Sequence, residues 1–211
     1  MIAKEYLISI NRYDCPSCDL KSKNNIKIAL VPPPNEIVGV IISHDPPVRW
    51  LPFYGYFTKE FQADTRRKML FASAILRSLM DRVLQFMGDR INDNDKQCLF
   101  NTIFQKVYWT HLHKCFTDAQ NEFKRSNAYK CADHWLTQEL NTIADRLKFI
   151  IALGRDVQTW VNKWQEEYGR SKAIEIINLP HPSGLSRNWN NKDDKGILKG
   201  IQDLLRLCKE D

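Results

Sequence analysis

The sequence of 211 residues has no apolar stretch long enough to cross a membrane. A membrane-spanning helix needs about 18 apolar residues in succession, and charged or polar residues interrupt every run before that length. The first residues lack the layout of a signal peptide, because Lys4 and Glu5 lie among the apolar ones. Internal repeats and low-complexity segments are missing as well. We therefore expect a single, monomeric domain over residues 1–211 with no membrane partner. We expect it to be cytoplasmic (nucleoid-associated in a prokaryote), or nuclear in a eukaryote.

A second C-x2-C pair is also missing, although the chain has six cysteines. In an intracellular protein this number favours metal or cluster ligation over a disulfide framework. The one pair, Cys15 and Cys18, is a pattern that serves zinc, iron–sulfur and redox sites alike. A zinc ribbon would close with a second pair, whereas Cys115 and Cys131 are single cysteines separated by fifteen residues. This spacing favours a [4Fe–4S] cluster that joins separate segments, and a zinc-bound structural module is the alternative.

The charged residues that are present give a formal net charge of +6 and a pI near 9.0. That balance fits a polyanionic partner such as a nucleic acid. A solvated basic surface without such a partner gives the same composition, so the charge alone does not identify the partner.

Hydrophobic patterning predicts strands that alternate with helices. Apolar, β-branched runs predict strands over residues 36–42, 107–112, 148–153 and 173–179. Helical spacing of apolar residues predicts helices over residues 2–10, 62–87, 131–146 and 156–168, and a last one through Ile197, Ile201, Leu204 and Leu205. Residues 92–95 and 121–130 are polar and predict irregular structure. The alternation predicts a three-layer α/β/α sandwich with a central, mostly parallel four-stranded sheet.

Two of the predicted strands end in segments that carry candidate catalytic residues. Residues 173–179 stop at Pro180 and lead into His181-Pro-Ser-Gly184. Residues 36–42 lead into Ser43-His44-Asp45, which two prolines follow. Loops at the carboxyl ends of strands are where α/β proteins place chemistry. Judged alone, the His181 segment is more often an ordinary loop than a site, and the His44-Asp45 segment fits a site and an ordinary Asp-Pro turn about equally well.

Taken in order, these motifs resemble the uracil-DNA glycosylase superfamily, and most closely its iron–sulfur branch, family 4. That branch has C-x2-C near the N-terminus, G-E-A-P-G after the first strand, a Pro-Phe step, T-N-x-V-K-C, a further cysteine, an A-L-G strand end and H-P-S-P. The corresponding segments here are Cys15-Pro-Ser-Cys18, Ser43-His-Asp-Pro-Pro47, Pro52-Phe53, Thr110-His-Leu-His-Lys-Cys115, Cys131, Ala152-Leu-Gly154 and His181-Pro-Ser-Gly184. The resemblance covers residues 13–190 and implies a uracil-DNA glycosylase-like fold. It also implies a [4Fe–4S] cluster, held by Cys15, Cys18, Cys115 and Cys131.

The activity that the resemblance implies is that of a monofunctional DNA glycosylase acting in base excision repair. Such an enzyme flips uracil or another deaminated base out of DNA and hydrolyses its N-glycosidic bond. By position in the motifs, His181 donates a hydrogen bond to the departing base. Asp45 activates water and stabilises the sugar cation, and His44 beside it is a further candidate catalytic residue.

The resemblance also assigns residues that bind the base and the DNA. Phe53 stacks on the base, and His111 and Ser43 lie at the base-binding site. The DNA-binding residues are Ser183, Gly184, Leu185 and Arg187. Of these, Leu185 matches a wedge that fills the gap left by the flipped base, and Arg187 matches a phosphate contact.

The chain departs from the family 4 pattern at three places. It has His44-Asp45-Pro46 where that branch has Glu-Ala-Pro, so that Asp45 stands where family 1 glycosylases carry their acid. His111 replaces the asparagine that reads the edge of uracil, and a neutral histidine offers its donor and acceptor on opposite sides of the ring. An insertion falls approximately at residues 62–106. Two alternatives stay open: a glycosylase specific for hypoxanthine or xanthine, and a non-catalytic damaged-DNA-binding protein of the same fold.

Overall fold

The secondary structure alternates between strands and helices, as the patterning predicts. The computed structural model describes residues 27–28, 31, 33–45, 70, 74–116, 125–169, 174–183 and 187–210. The strands in these ranges are β1 (Lys27–Ile28), β2 (Gly39–Ser43), β3 (Val107–His111), β4 (Cys115–Phe116), β5 (Phe149–Leu153) and β6 (Glu175–Leu179). The α-helices are α1 (Ala74–Met87), α2 (Asp93–Gln105), α3 (Arg125–Cys131), α4 (Thr137–Ile143), α5 (Arg155–Trp164) and α6 (Lys195–Lys209).

Short 3-10 and π segments extend several of these helices. The 3-10 turns are Gly88–Arg90, Ala144–Arg146 and Arg187–Asn190. A π segment, Ala132–Leu136, joins α3 to α4, and a second one, Gln165–Gly169, continues α5.

The central sheet has four strands in the order β3-β2-β5-β6, and every pairing is parallel. Every residue of β2, β3 and β5 is buried, as expected for parallel strands covered by helices on both faces. The edge strand β6 is less buried, because Asn178 is exposed and Glu175 and Ile176 are half-buried. The predicted α/β/α fold is therefore confirmed, and the sheet is wholly rather than mostly parallel.

The order of the strands creates a crevice between β2 and β5. From β2 the chain runs to β3 on one side of the sheet, whereas from β5 it runs to β6 on the other side. The loops that follow these two neighbouring strands therefore diverge at their carboxyl ends. In open α/β sheets ligands bind at such a switch point.

Two predictions of irregular structure are wrong. The polar residues 92–95 begin α2, where the Asn92 side chain caps the helix by accepting a hydrogen bond from the Asp95 amide at 2.9 Å. Asparagine and aspartate are common both in turns and at helix N-caps, so this pattern was ambiguous. Residues 121–130 contain α3, in which Asn127 and Ala128 are buried, so tertiary packing outweighs the polar composition.

Some predictions concern residues outside the described ranges. These are the helix over residues 2–10, the ligands Cys15 and Cys18, the base-stacking Phe53, and the DNA-binding Gly184 and Leu185. The insertion over residues 62–106 stays a prediction, although its described part forms α1 and α2. No described helix is both long and apolar enough to span a membrane.

Candidate active site

Most of the described candidate residues lie at the carboxyl edge of the sheet. Ser43 and His111 are the last residues of β2 and β3 and are paired in register. The pairing continues beyond the strands, because the Leu112 amide donates to the Ser43 carbonyl and the His113 amide to the His44 carbonyl, both at 2.8 Å. His44 is thereby held by backbone hydrogen bonds at the mouth of the crevice.

A cavity of about 260 Å³ opens between the segments that follow β2, β5 and β6. Its lining residues are His44, Leu153, Gly154, Arg155, Asp156, Val157 and His181. Two larger depressions, of about 520 and 480 Å³, lie around Arg206 and Glu210 of the C-terminal helix region. Neither of those has a histidine in its lining. The smaller cavity is therefore the candidate site, because two histidines, His44 and His181, line it.

His181 accepts hydrogen bonds at both its ring and its backbone carbonyl. The Ser183 amide donates to His181 Nδ1 at 3.2 Å, and Trp189 Nε1 donates to the His181 carbonyl at 3.2 Å. Partial burial lowers the pKa of His181, although the charge of Asp45 works in the opposite direction. The ring is therefore neutral at pH 7, and with Nδ1 accepting a hydrogen bond its hydrogen lies on Nε2.

Gly154 allows the close approach of β5 to the His181 turn. Its φ of 88° lies in a region that side-chain-bearing residues rarely adopt, and its amide donates to the Leu179 carbonyl at 2.9 Å. An added Cβ would lie 3.4 Å from the Cβ of His181. The strand end of β5 thus fixes where the imidazole sits.

His44 lies between two carboxylates. Its Nδ1 is 3.1 Å from Asp45 Oδ1, and its Nε2 is 3.8 Å from Asp156 Oδ2. The sequence predicted His44 and Asp45 as neighbours but assigned no role to Asp156, which begins a helix. The sequence did contain a signal for a site residue here, because Asp156 lies two positions after Gly154, the last residue of the A-L-G strand end.

His111 and Ser43 are completely buried behind this edge. Burial lowers the pKa of His111 well below its usual range, and the charges of Lys114, His113 and His44 act in the same direction. Ser43 Oγ accepts a hydrogen bond from Trp109 Nε1 at 3.2 Å, so it also serves to hold that indole. His111 is thus a neutral imidazole at pH 7.

A buried ion pair below the site was not predicted from the sequence. Lys114 Nζ lies 2.6 Å from Glu139 Oε2, and both side chains are almost completely excluded from solvent. Thr110 Oγ1 donates to the same Glu139 oxygen at 2.7 Å and also contacts Lys114 Nζ. The available signal was Glu139 itself, a charged residue three positions after Leu136 and one before Leu140 on the apolar face of its helix.

The predicted cluster ligands are only partly described. The Lys114 amide donates to Cys131 Sγ at 3.4 Å, so the buried Cys131 thiol lies beside the chain just before Cys115. Amide hydrogen bonds to sulfur also occur in iron–sulfur sites. Within the described ranges no group of three or more His, Cys, Asp or Glu residues is placed to hold a metal ion. The [4Fe–4S] cluster therefore stays a prediction.

Two of the predicted DNA-binding residues, Ser183 and Arg187, lie within the described ranges. Ser183 is half-buried, and its amide is the donor to His181. Arg187 begins the 3-10 turn Arg187–Asn190, in which Trp189 is buried and packs edge-on against Phe86 at a centroid distance of 6.3 Å. This turn therefore lies beside the candidate site and is anchored to the core.

The chain was compared with known proteins and with known families. No curated protein matches the chain closely enough to count as a relative. The family model of the uracil DNA glycosylase superfamily matches residues 40–205. This range includes every residue that lines the cavity, and it includes the four strands of the parallel sheet apart from the first residue of β2. The chain belongs to the uracil DNA glycosylase superfamily.

Proposed function

We propose that the protein is a monofunctional DNA glycosylase that removes uracil, or another deaminated base, from DNA. The observation that carries this proposal is the state of His181. Its Nδ1 accepts the Ser183 amide, and partial burial lowers its pKa, so the ring presents an Nε2–H donor to the cavity. A neutral donor of this kind suits a leaving group on which negative charge develops.

The reaction breaks the bond between the sugar C1′ and the base nitrogen, and the electron pair leaves with the base. His181 stabilises the departing anion by donating from Nε2. Water then bonds to C1′, and Asp45 accepts its proton and passes it to solvent. Asp45 suits this role because its carboxylate is more than half exposed and lies 3.1 Å from His44 Nδ1. A carboxylate near the sugar also stabilises the positive charge that develops there.

Recognition of the base is assigned to His111, Ser43 and Phe53. His111 is neutral and buried, so it offers one N–H donor and one acceptor nitrogen. An asparagine amide presents both groups on one side, which fits the edge of uracil, whereas the imidazole presents them on opposite sides. This difference favours hypoxanthine or xanthine as the second candidate substrate. Phe53 stacks on the flipped base in either case.

Contacts with the DNA strand are assigned to the turn that follows His181. Ser183 and Arg187 bind backbone phosphates, Gly184 allows close approach of the strand, and Leu185 fills the space left by the flipped nucleotide. The tie between the Ser183 amide and His181 Nδ1 supports this assignment, because it couples the phosphate-binding turn to the catalytic imidazole.

We further propose that the protein belongs to the iron–sulfur branch and holds a [4Fe–4S] cluster through Cys15, Cys18, Cys115 and Cys131. The hydrogen bond from the Lys114 amide to Cys131 Sγ supports this assignment. When bound, the cluster cross-links separate segments of the chain and takes no part in the hydrolysis. Cys131 and Cys115 would then fix the segment that follows β3 against the helix α3.

The test is cleavage of labelled oligonucleotides that carry uracil, hypoxanthine, xanthine or no lesion, each treated with alkali to break abasic sites. We expect cleavage at uracil, or at a purine lesion alone if His111 sets the specificity. Asp45→Asn should lose most turnover while keeping its affinity for the DNA. Asp89→Asn, an exposed carboxylate in the turn after α1, is the control for the change in charge. Tight binding without cleavage of any substrate would favour a non-catalytic damaged-DNA-binding protein instead.

A further inference from the structure

Asp156 is the residue of the cavity for which the proposed mechanism has no role. It lies in the first turn of α5, where a carboxylate is favoured by the helix dipole, and its side chain is about 30% exposed. It lines the same cavity as His44 and His181. Its Oδ2 is 3.8 Å from His44 Nε2, on the side of the ring opposite to Asp45.

The position of Asp156 is fixed more firmly than that of Asp45. The helix begins directly after Gly154, whose amide is bound to the Leu179 carbonyl. Gln158, two residues further on, donates from Nε2 to the same carbonyl at 2.9 Å. Asp45, in contrast, lies beyond the end of β2 with a side chain that is 57% exposed, against 30% for Asp156, so the surrounding protein restricts its carboxylate less.

The imidazole of His44 connects these two carboxylates. Nδ1 lies within hydrogen-bond distance of Asp45 Oδ1, at 3.1 Å, and Nε2 lies at an ion-pair distance of 3.8 Å from Asp156 Oδ2 on the other side of the ring. The backbone carbonyl of His44 is held by the His113 amide, so the ring pivots about a fixed point. A charge at Asp156 therefore restricts the ring, and the ring restricts the carboxylate of Asp45.

We propose that Asp156 is a positioning residue of the site: acting through His44, it holds the Asp45 carboxylate in the orientation that activates water. This inference rests on the proposed glycosylase function. Asp156 contacts neither the base nor the reacting sugar in this arrangement. Its removal is expected to slow the chemical step and to leave DNA binding intact.

The first test compares kcat and KM of Asp156→Asn with those of the wild type. The substitution keeps the shape of the side chain and removes its charge. We expect kcat to fall about tenfold, with less than a twofold change in KM and in the Kd for DNA. Asp156→Glu, which restores the charge, should recover part of kcat. Asp89→Asn changes the net charge equally and should leave kcat unchanged.

The second test asks whether Asp156 acts through His44. In a His44→Gln background, Asp156→Asn should lower kcat by less than about twofold, because residues that act as a unit are not additive. A full tenfold loss in that background would overturn the inference and indicate direct contact with substrate. Wild-type kcat in Asp156→Asn alone would overturn it as well.

A third measurement separates this inference from the proposed function. Thermal unfolding of the two single variants and the double variant measures coupling between His44 and Asp156 without any assay of activity. We expect the loss of Tm in the double variant to be smaller than the sum of the two single losses. If the variants show this coupling but the wild-type protein cleaves no lesion, only the glycosylase proposal is overturned. Additive losses of Tm would overturn the contact on which the inference depends.

Discussion

Burial lowers the pKa of two histidines, His181 and His111. His181 is partly buried and His111 completely buried, and in both cases burial is the first cause of the lowered pKa. Both rings are therefore neutral at pH 7. A neutral imidazole has one N–H donor and one acceptor nitrogen, which is the state that the proposed roles of His181 and His111 require.

The lowered pKa of His111 predicts a loss of stability in mild acid. In the unfolded chain this histidine binds a proton near its ordinary pKa of about 6.5, while the folded chain resists protonation until a much lower pH. The free energy of unfolding should therefore be highest above about pH 6.5. It should fall as the pH drops below that value, by at most about 1.4 kcal/mol per pH unit for one such group.

Urea unfolding between about pH 7.5 and about pH 5.5 measures this effect above the range in which carboxylates titrate. His111→Asn should show a smaller decrease across this interval than the wild type. His134→Asn, at a half-buried position beside Trp135, is the control for the exchange of a histidine for an asparagine. Equal slopes in the wild type and His111→Asn would contradict a neutral, buried His111.

At the scale of secondary structure, the sequence predicts the strands better than the helix boundaries. The four strands of the sheet are short, apolar runs bounded by turn residues, and each lies within two residues of its predicted ends except for the start of β2. The polar residues after β2 and β6 lie at one edge because the strands are parallel. Alternating patterns are enough to predict both the sheet and the position of His44 and His181.

The contacts between the helices and the sheet could not be predicted from the sequence. Asp156 was predicted only as the start of a helix, because nothing local shows that His44 lies 3.8 Å away. Glu139, the partner of Lys114, follows a π segment in which the Thr137 amide donates to the carbonyl of Ala132, five residues earlier. The extra residue in this turn rotates the following helix relative to a regular one, and helical periodicity does not reveal it.

The buried ion pair between Lys114 and Glu139 predicts a strong dependence of stability on both partners. Removing one of them leaves the other charge buried and unpaired, which costs about 3–5 kcal/mol. Lys114→Met and Glu139→Met should each lower the free energy of unfolding by this amount. The double variant should be more stable than either single one, because two apolar side chains of similar volume can replace a buried pair.

Urea unfolding of the wild type, the two single variants and the double variant gives the coupling energy between Lys114 and Glu139. The exposed pair of Lys199 and Asp203 on α6 supplies the control, since Lys199→Met should have a far smaller effect than Lys114→Met. Additive losses in the double variant would mean that the two buried side chains do not interact. Because Thr110 binds the same Glu139 oxygen, loss of the pair should also disturb β3, which ends at His111.

At the scale of the whole molecule, four predicted cysteine ligands come from three separate parts of the sequence. Cys131 ends α3, and Cys115 begins β4, which pairs with β1 through Ile28. The Lys114 amide donates to Cys131 Sγ, so these elements already meet at one place. A [4Fe–4S] cluster at this place would link them covalently and restrict the unfolded chain. The stability of the whole fold should therefore depend on these cysteines.

Replacement of Cys131 by serine tests this dependence. Serine retains an acceptor for the Lys114 amide but is a much poorer ligand for iron. Protein purified without oxygen should contain about four iron and four acid-labile sulfide ions per chain. Cys131→Ser should lower the iron content, the sulfide content and the Tm.

Cys98→Ser is the matched control, because Cys98 donates from Sγ to the Cys208 carbonyl and is not a predicted ligand. It should keep the wild-type iron and sulfide contents. A wild-type protein that contains zinc without sulfide would contradict the cluster, and equal iron contents in the two variants would exclude Cys131 as a ligand.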